Sequence, residues 1–169
     1  MASTPKTAPT IAPASRSLAE TFAAFATQKE AGSSLIVTLS VRGGPPAKAY
    51  RLEFVARGDG NAHCQYECRL THKEGTSGDA RLSGQQLRAV FGKVAAVLAL
   101  PEEQPRFLPD TLIGILDLSD GITVRRFYFA ADADQAKTQG KVPPPALKRL
   151  VDSIYVTAAA LTKQRSVKP

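Results

Sequence analysis

The sequence is poor in the residue types that build most metal centres and active sites. It has no Trp, one Met at position 1, two Cys and two His among 169 residues. No run of 18 apolar residues occurs, so no transmembrane helix is expected. The N-terminus also lacks the continuous apolar segment of a secretory signal. We therefore expect a cytoplasmic protein, with an organellar transit peptide as an open alternative because the N-terminus is acid-poor and rich in Ser, Thr, Ala and Pro.

The two cysteines lie in a pattern that suits a strand better than a metal site. Cys64, Cys68 and His72 are spaced four residues apart, which is not a zinc-finger spacing. On an extended strand Cys64 and Cys68 would be about 13 Å apart, too far to share an ion or to form a disulfide. We expect both cysteines to pack in the core. The sequence thus predicts neither a metal site nor a cofactor.

The common catalytic motifs are missing as well. The chain contains no G-x-S-x-G, no H-E-x-x-H and no glycine-rich phosphate loop. Asp132 and Asp134 begin like a calcium loop, but Ala136 and Lys137 stand where a ligand and the turn glycine belong. The sequence therefore predicts a protein that is not an enzyme.

The formal net charge of +7 is concentrated at the two ends of the chain. Lys6 and Arg16 near the N-terminus, with three basic residues after position 162, carry five positive charges, so residues 17–162 carry only about +2. Basic termini solubilise a protein or contact phosphates without specificity. The charge of the folded part consequently says little about its partners.

Composition and periodicity divide the chain into four parts. These are residues 1–16, a Pro/Ala/Ser/Thr tail expected to be disordered or draped over a partner; residues 17–31, a short amphipathic helix; residues 32–162, a single α+β domain; and residues 163–169, a basic C-terminal tail. Ser17 and Glu20 form a capping box at the start of the short helix. Its apolar stripe is narrow, so it is stable only when docked, either covering an end of the sheet, which we favour, or binding a partner. We expect this helix and the tail to lie outside the core of the main domain.

Period-2 alternation of apolar and polar residues predicts five strands in the main domain. They are expected at residues 35–42, 49–57, 62–73, 111–118 and 122–130. The dipeptide Asp120-Gly121 suits a tight primed turn between the last two. Residues 75–80 and 131–142 are expected to form loops.

Two segments have the apolar spacing of strong amphipathic helices. The first has a capping box at Ser83 and Gln86, continues to Leu98, and ends before Pro101. The second begins at the prolines 143–145. The predicted fold is α+β, with a five-stranded antiparallel sheet in the order β-β-β-α-β-β-α and both helices on one face.

The second hairpin is apolar on both faces, with Leu112 and Leu116 alternating with Ile113 and Ile115. Such a strand is either central or covered on its second face. Together with the N-terminal tail, it favours a protein-binding module, an adaptor or a small accessory subunit whose partner is another protein. The candidate binding residues are Gly43, Gly44, Pro45, Pro46, Arg125 and Phe127.

Binding of nucleic acid is an alternative. Arg125 and Arg126 precede three aromatic residues at 127–129, and basic residues interleaved with aromatics can stack bases. Strand alternation places the two arginines on opposite faces and Phe127 and Phe129 in the core, which weakens that interpretation.

Several short motifs resemble a known family. They are Val41-Arg42-Gly43-Gly44, Gly58-Asp59-Gly60, the helix start at residues 82–87, Asp110 and Gly121 around a hairpin, Pro144-Pro145-Ala146-Leu147 and Leu150-Val151-Asp152. Together they are similar to emfourin-like small bacterial α+β domains over residues 35–156. Some members inhibit thermolysin-type metalloproteases, so the resemblance implies inhibition as an alternative function. The family's glycine-aromatic-small-glycine run is replaced here by Pro45-Pro46-Ala47. The order of elements also resembles that of type III secretion chaperones.

Overall fold

The computed structural model describes residues 16–28, 34–43, 49–57, 62–70 and 73–166. These residues form α1 (Leu18–Gln28), β1 (Leu35–Arg42), β2 (Ala49–Ala56), β3 (Ala62–Leu70), β4 (Lys73–Arg81), α2 (Gly84–Phe91), α3 (Val94–Leu98), β5 (Ile113–Ser119), β6 (Val124–Ala130), α4 (Ala133–Thr138) and α5 (Pro145–Ser166).

The described strands form one antiparallel sheet in the order β4-β3-β2-β1-β5-β6. The first four strands follow each other as a meander. After α2 and α3, the chain returns with β5 beside β1, which places β1 inside the sheet and β6 at its edge. The predicted α+β class with an antiparallel sheet is confirmed.

Among the described residues the sheet has six strands, one more than the sequence predicted. The additional strand is β4, which contains the expected loop at 75–80 and pairs with β3 from His63–Arg81 to Leu70–Lys73. This segment contains two glycines and an aspartate, which are residue types depleted in strands. Pairing with a long neighbouring strand explains why the segment is nonetheless extended.

Most of the hydrophobic core lies on one face of the sheet, which we call the helix-side face. Leu35, Val37, Leu39 and Val41 alternate along β1 and are at most 1% exposed. Their cross-strand partners on β2 and β5 include Phe54 and further apolar residues. Helices α1, α2, α3 and α5 contribute the other half of this core: Phe22, Phe25, Leu87, Val90, Phe91, Val94, Val97, Leu98, Leu147, Leu150, Val151, Ile154, Ala158 and Leu161.

Helix α1 belongs to this core, so the expectation that it lies outside was wrong. Phe22 and Phe25 are fully buried. Phe22 stacks on Phe91 with ring centroids 5.9 Å apart, and Phe25 meets the same ring edge-on at 5.3 Å. The apolar stripe is narrow but carries two large rings, which bury enough area to dock a short helix. The capping box is confirmed, with the Ser17 amide donating to Glu20 Oε2 at 2.8 Å.

The predicted middle helix is divided into α2 and α3. Its capping box is confirmed, since Ser83 N donates to Gln86 Oε1 at 2.8 Å. At the junction Gly92 N donates to Arg88 O, whereas Lys93 N donates to Val90 O, three residues back. This three-residue hydrogen bond interrupts the α-helix. The interruption lies at Gly92, and glycine has a weak helix propensity. The apolar residues of both pieces still face the core.

Helix α4 lies within the segment 131–142, which was expected to be a loop. Asp132 Oδ1 accepts hydrogen bonds from Asp134 N at 3.0 Å and Gln135 N at 2.8 Å, so its carboxylate caps this helix. Helix α5 begins at Pro145 as predicted and continues to Ser166, into the expected C-terminal tail. Among the described helices, none combines the length and apolarity needed to cross a membrane.

Replacing Phe25 with alanine should lower the free energy of unfolding by about 3–5 kcal/mol, because a buried ring would leave a cavity between α1 and α2. The exposed control Thr27→Ala should change it by less than about 0.5 kcal/mol. Urea denaturation followed by circular dichroism measures both values. Equal, small losses in the two variants would contradict the docking of α1.

Candidate functional site

The first predicted binding residues follow β1. Gly43 has a φ of 91°, and a Cβ added there would lie 2.7 Å from the backbone oxygen of Thr111. Both facts require glycine at this position. Gly44, Pro45 and Pro46 lie outside the residues that the structure describes, so their proposed role stays a prediction.

Arg125 and Phe127, the other predicted binding residues, have structural roles. Phe127 lies in the helix-side core and is 5% exposed. The Arg125 guanidinium carbon lies 5.6 Å from the centre of the Phe127 ring, and Arg125 Nη2 donates to Leu100 O at 3.4 Å. Arg125 thus ties the end of α3 to β6. The ring of Phe127 is buried in the core, and the proposed binding role of Arg125 and Phe127 stays a prediction.

The sheet register separates these two groups of predicted residues. Gly43 follows the Arg42–Ile113 pair at the start of β5, whereas Arg125 pairs with Leu118 near its end. Five residues of strand span about 17 Å. Gly43 and Arg125 therefore do not form one site.

The second face of the sheet receives none of α1, α2, α3 or α5. Two of its arginines are paired with carboxylates. Arg126 Nε donates to Asp117 Oδ1 at 2.6 Å and Nη2 donates to Oδ2 at 2.8 Å, which raises the pKa of Arg126. Arg51 Nη2 lies 2.5 Å from Glu53 Oε2. These two arginines are thus already engaged by carboxylates.

The second face also carries apolar side chains near the second hairpin. Ile115 is nearly buried, at 5% exposure. Ile113 and Tyr128 are half-buried, and Val124 is 57% exposed. The prediction that the second hairpin is apolar on both faces is confirmed by Leu116 and Phe127 on the opposite, helix-side face.

The backbone hydrogen bonds at the two ends of β6 determine which of its residues bond to β5. Ala131 N donates to Leu112 O at 2.7 Å, and Asp120 N donates to Thr123 O at 3.4 Å. Because antiparallel pairs alternate between bonded and non-bonded, residues 125, 127 and 129 bond to β5. Residues 124, 126, 128 and 130 then direct their backbone N–H and C=O groups away from the sheet. Within the described part of the chain, no residue forms a backbone hydrogen bond to these outward groups.

The turn before β6 is stabilised by hydrogen bonds to Asp120 and exposes an apolar side chain. Gly121 has a φ of 88° and precedes Ile122, so the primed turn is present but centred one residue later than expected. Asp120 Oδ1 accepts from Thr123 N at 2.7 Å and from Ile122 N at 3.0 Å, and the Thr123 bond lowers the pKa of Asp120. The side chain of Ile122 is 90% exposed.

A cavity of about 250 Å³ lies between the end of β6, α4 and α5. Its walls are mainly apolar, and they are formed by Phe129, Ala130, Ala131, Ala133, Ala136, Val142, Pro143, Val151 and Tyr155. Three charged residues, Lys137, Lys148 and Asp152, complete the lining. The sequence did not indicate this cavity because its α4 wall was expected to be a loop.

Tyr155 connects the cavity wall to the sheet. Its hydroxyl is hydrogen-bonded to the hydroxyl of Tyr50 on β2, and the two rings meet edge-on with centroids 6.0 Å apart. Burial raises the pKa of Tyr155 above its ordinary value of 10.0. The pair therefore fixes α5 against the sheet while both hydroxyls are protonated.

No group of three or more His, Cys, Asp or Glu residues that could hold a metal ion occurs among the described side chains. No protein-family model and no curated protein matches the chain. The resemblances to emfourin-like domains and to type III secretion chaperones accordingly stay predictions.

Tyr155→Phe should reduce the loss of stability at alkaline pH. Because the folded pKa is raised, the unfolded chain releases this proton first, so the wild-type protein loses stability as pH rises from about 10 toward the folded pKa. Below about pH 9 both states are protonated and this contribution is constant. Urea denaturation at pH 8 and pH 10.5 measures the slope. Ser153→Ala, on the same helix, should keep the wild-type slope; an unchanged slope in Tyr155→Phe would contradict the assignment.

Proposed function

We propose that the protein is a non-enzymatic protein-binding module, an adaptor or a small accessory subunit, which binds an extended segment of another protein along the edge of β6. The proposal rests on the alternation along β6 between residues that bond to β5 and residues that do not. This alternation directs the backbone groups of Val124, Arg126, Tyr128 and Ala130 away from the sheet.

An exposed strand edge is a template for pairing, and addition of a strand is a common way to bind peptides. Edges are usually protected by prolines, bulges or short length. Strand β6 has seven residues, contains no proline and keeps a continuous register with β5. Each backbone hydrogen bond gained adds about 0.5–1.5 kcal/mol net, so several of them would support a specific complex.

Alternate side chains of an added strand would point to the two faces of the sheet. On the second face they would adjoin Val124 and Tyr128. On the helix side they would adjoin a groove of about 80 Å³ between β6 and the segment after α3, lined by Pro101, Pro105 and Leu147 among others. Backbone hydrogen bonds do not depend on the sequence of the bound segment. The two faces would contact its side chains and so select among sequences.

The other two functions stay predictions. Inhibition of a metalloprotease rests on the resemblance over residues 35–156, and residues 44–46 of the loop that would carry it lie outside the described residues. A phosphate-binding surface on the second face is not favoured, since Arg51 and Arg126 are paired with Glu53 and Asp117.

The test compares Arg126→Pro with Arg126→Ala. Both variants remove the ion pair with Asp117, but only proline removes the outward N–H, and proline is tolerated at edge positions that make no ladder bond. Peptides are first selected from a random library on the immobilised wild-type chain. Their affinities for the three proteins are then measured by isothermal titration calorimetry.

We expect selected peptides to bind Arg126→Ala at least roughly tenfold more tightly than Arg126→Pro, and to shift the amide resonances of β6. Thermal denaturation of each variant checks that it is folded. Equal affinity for the two folded variants, or resonance shifts confined to another surface, would overturn binding at this edge.

A further inference from the structure

We propose that the cavity between β6, α4 and α5 is a binding site for a small apolar monocarboxylate, such as an aromatic or medium-chain acid. This site adjoins the proposed peptide edge at Ala130, the last residue of β6, and otherwise consists of residues outside that edge. It does not depend on the binding of a protein partner.

The size of the cavity limits the ligand. A cavity of about 150 Å³ holds benzene, so about 250 Å³ accommodates a substituted aromatic ring or a chain of roughly six to eight carbons. The space exists because small residues line one side: Ala130, Ala131, Ala133 and Ala136. On the opposite side, Val151 and the ring of Tyr155 provide an apolar surface.

The wall formed by α4 is held in place by side-chain hydrogen bonds. Gln135 Oε1 accepts from Leu112 N at 2.9 Å, and Gln139 Nε2 donates to Thr111 Oγ1 at 2.8 Å. Ala136, between these two glutamines, is buried. The cavity is therefore formed before a ligand arrives, which lowers the entropic cost of binding.

The net positive charge beside the cavity favours an anionic ligand. Lys148 Nζ lies 2.6 Å from Asp152 Oδ2, so these two charges compensate each other. Lys137 also lines the cavity, and no carboxylate pairs with it among the described residues. One positive charge beside an apolar cavity suits a ligand with an apolar body and one carboxylate.

The test is an NMR titration of the full chain with benzoate, phenylacetate and hexanoate, and with benzyl alcohol as the neutral comparison. We expect saturable shifts for the acids at amides of Ala130, Ala136 and Val151. Lys137→Glu should weaken acid binding roughly fivefold or more, whereas Arg106→Glu, the same charge change on an exposed loop outside the cavity, should not. Ala133→Leu, at an exposed position of the cavity wall, should abolish binding by filling the space.

Three results would overturn the site. They are the absence of saturable shifts at the cavity, equal weakening by Lys137→Glu and Arg106→Glu, and undiminished binding in a folded Ala133→Leu variant. Equal affinity for benzoate and benzyl alcohol would overturn the selection of an anion. Thermal denaturation of each variant establishes that a loss of binding is not a loss of fold.

Discussion

The apolar side chains that alternate along β1 hold the helices on one face of the sheet, and the other surfaces follow from that packing. Val37 and Leu39 are fully buried, and they lie opposite Phe54 and Leu52 on one side and Leu118 and Leu116 on the other. A shift of the register by one residue would move these side chains to the second face. The alternation therefore fixes which residues of β6 belong to the core and which direct their backbone groups outward.

Much of the fold could be predicted because its signals are local. The capping boxes at Ser17 and Ser83 depend on residues three positions apart, and the prolines before α5 mark its start. The parts that were missed depend on distant neighbours. Strand β4 is poor in strand-forming residues and is extended beside β3, and α1 is docked by the ring of Phe91, some 70 residues away in the chain.

For the candidate surfaces, too, the features with local signals could be predicted and those that depend on distant neighbours could not. Alternation along β6 correctly placed Phe127 and Phe129 in the core. Whether β6 is an inner or an edge strand could not be inferred, since that depends on the pairing of β5 with β1. The cavity could not be predicted from the sequence either, because its walls require both α4 and the docking of α5 through Tyr155.

Hydrogen exchange of the β6 amides, followed by NMR in the free protein, tests the central claim most directly. An edge strand with outward groups at alternate positions should protect the amides of residues 125, 127 and 129, each bonded to β5. The amides of 124, 126 and 128 should exchange at least roughly tenfold faster, because they face solvent. Uniform protection along all seven residues would contradict a free edge at β6.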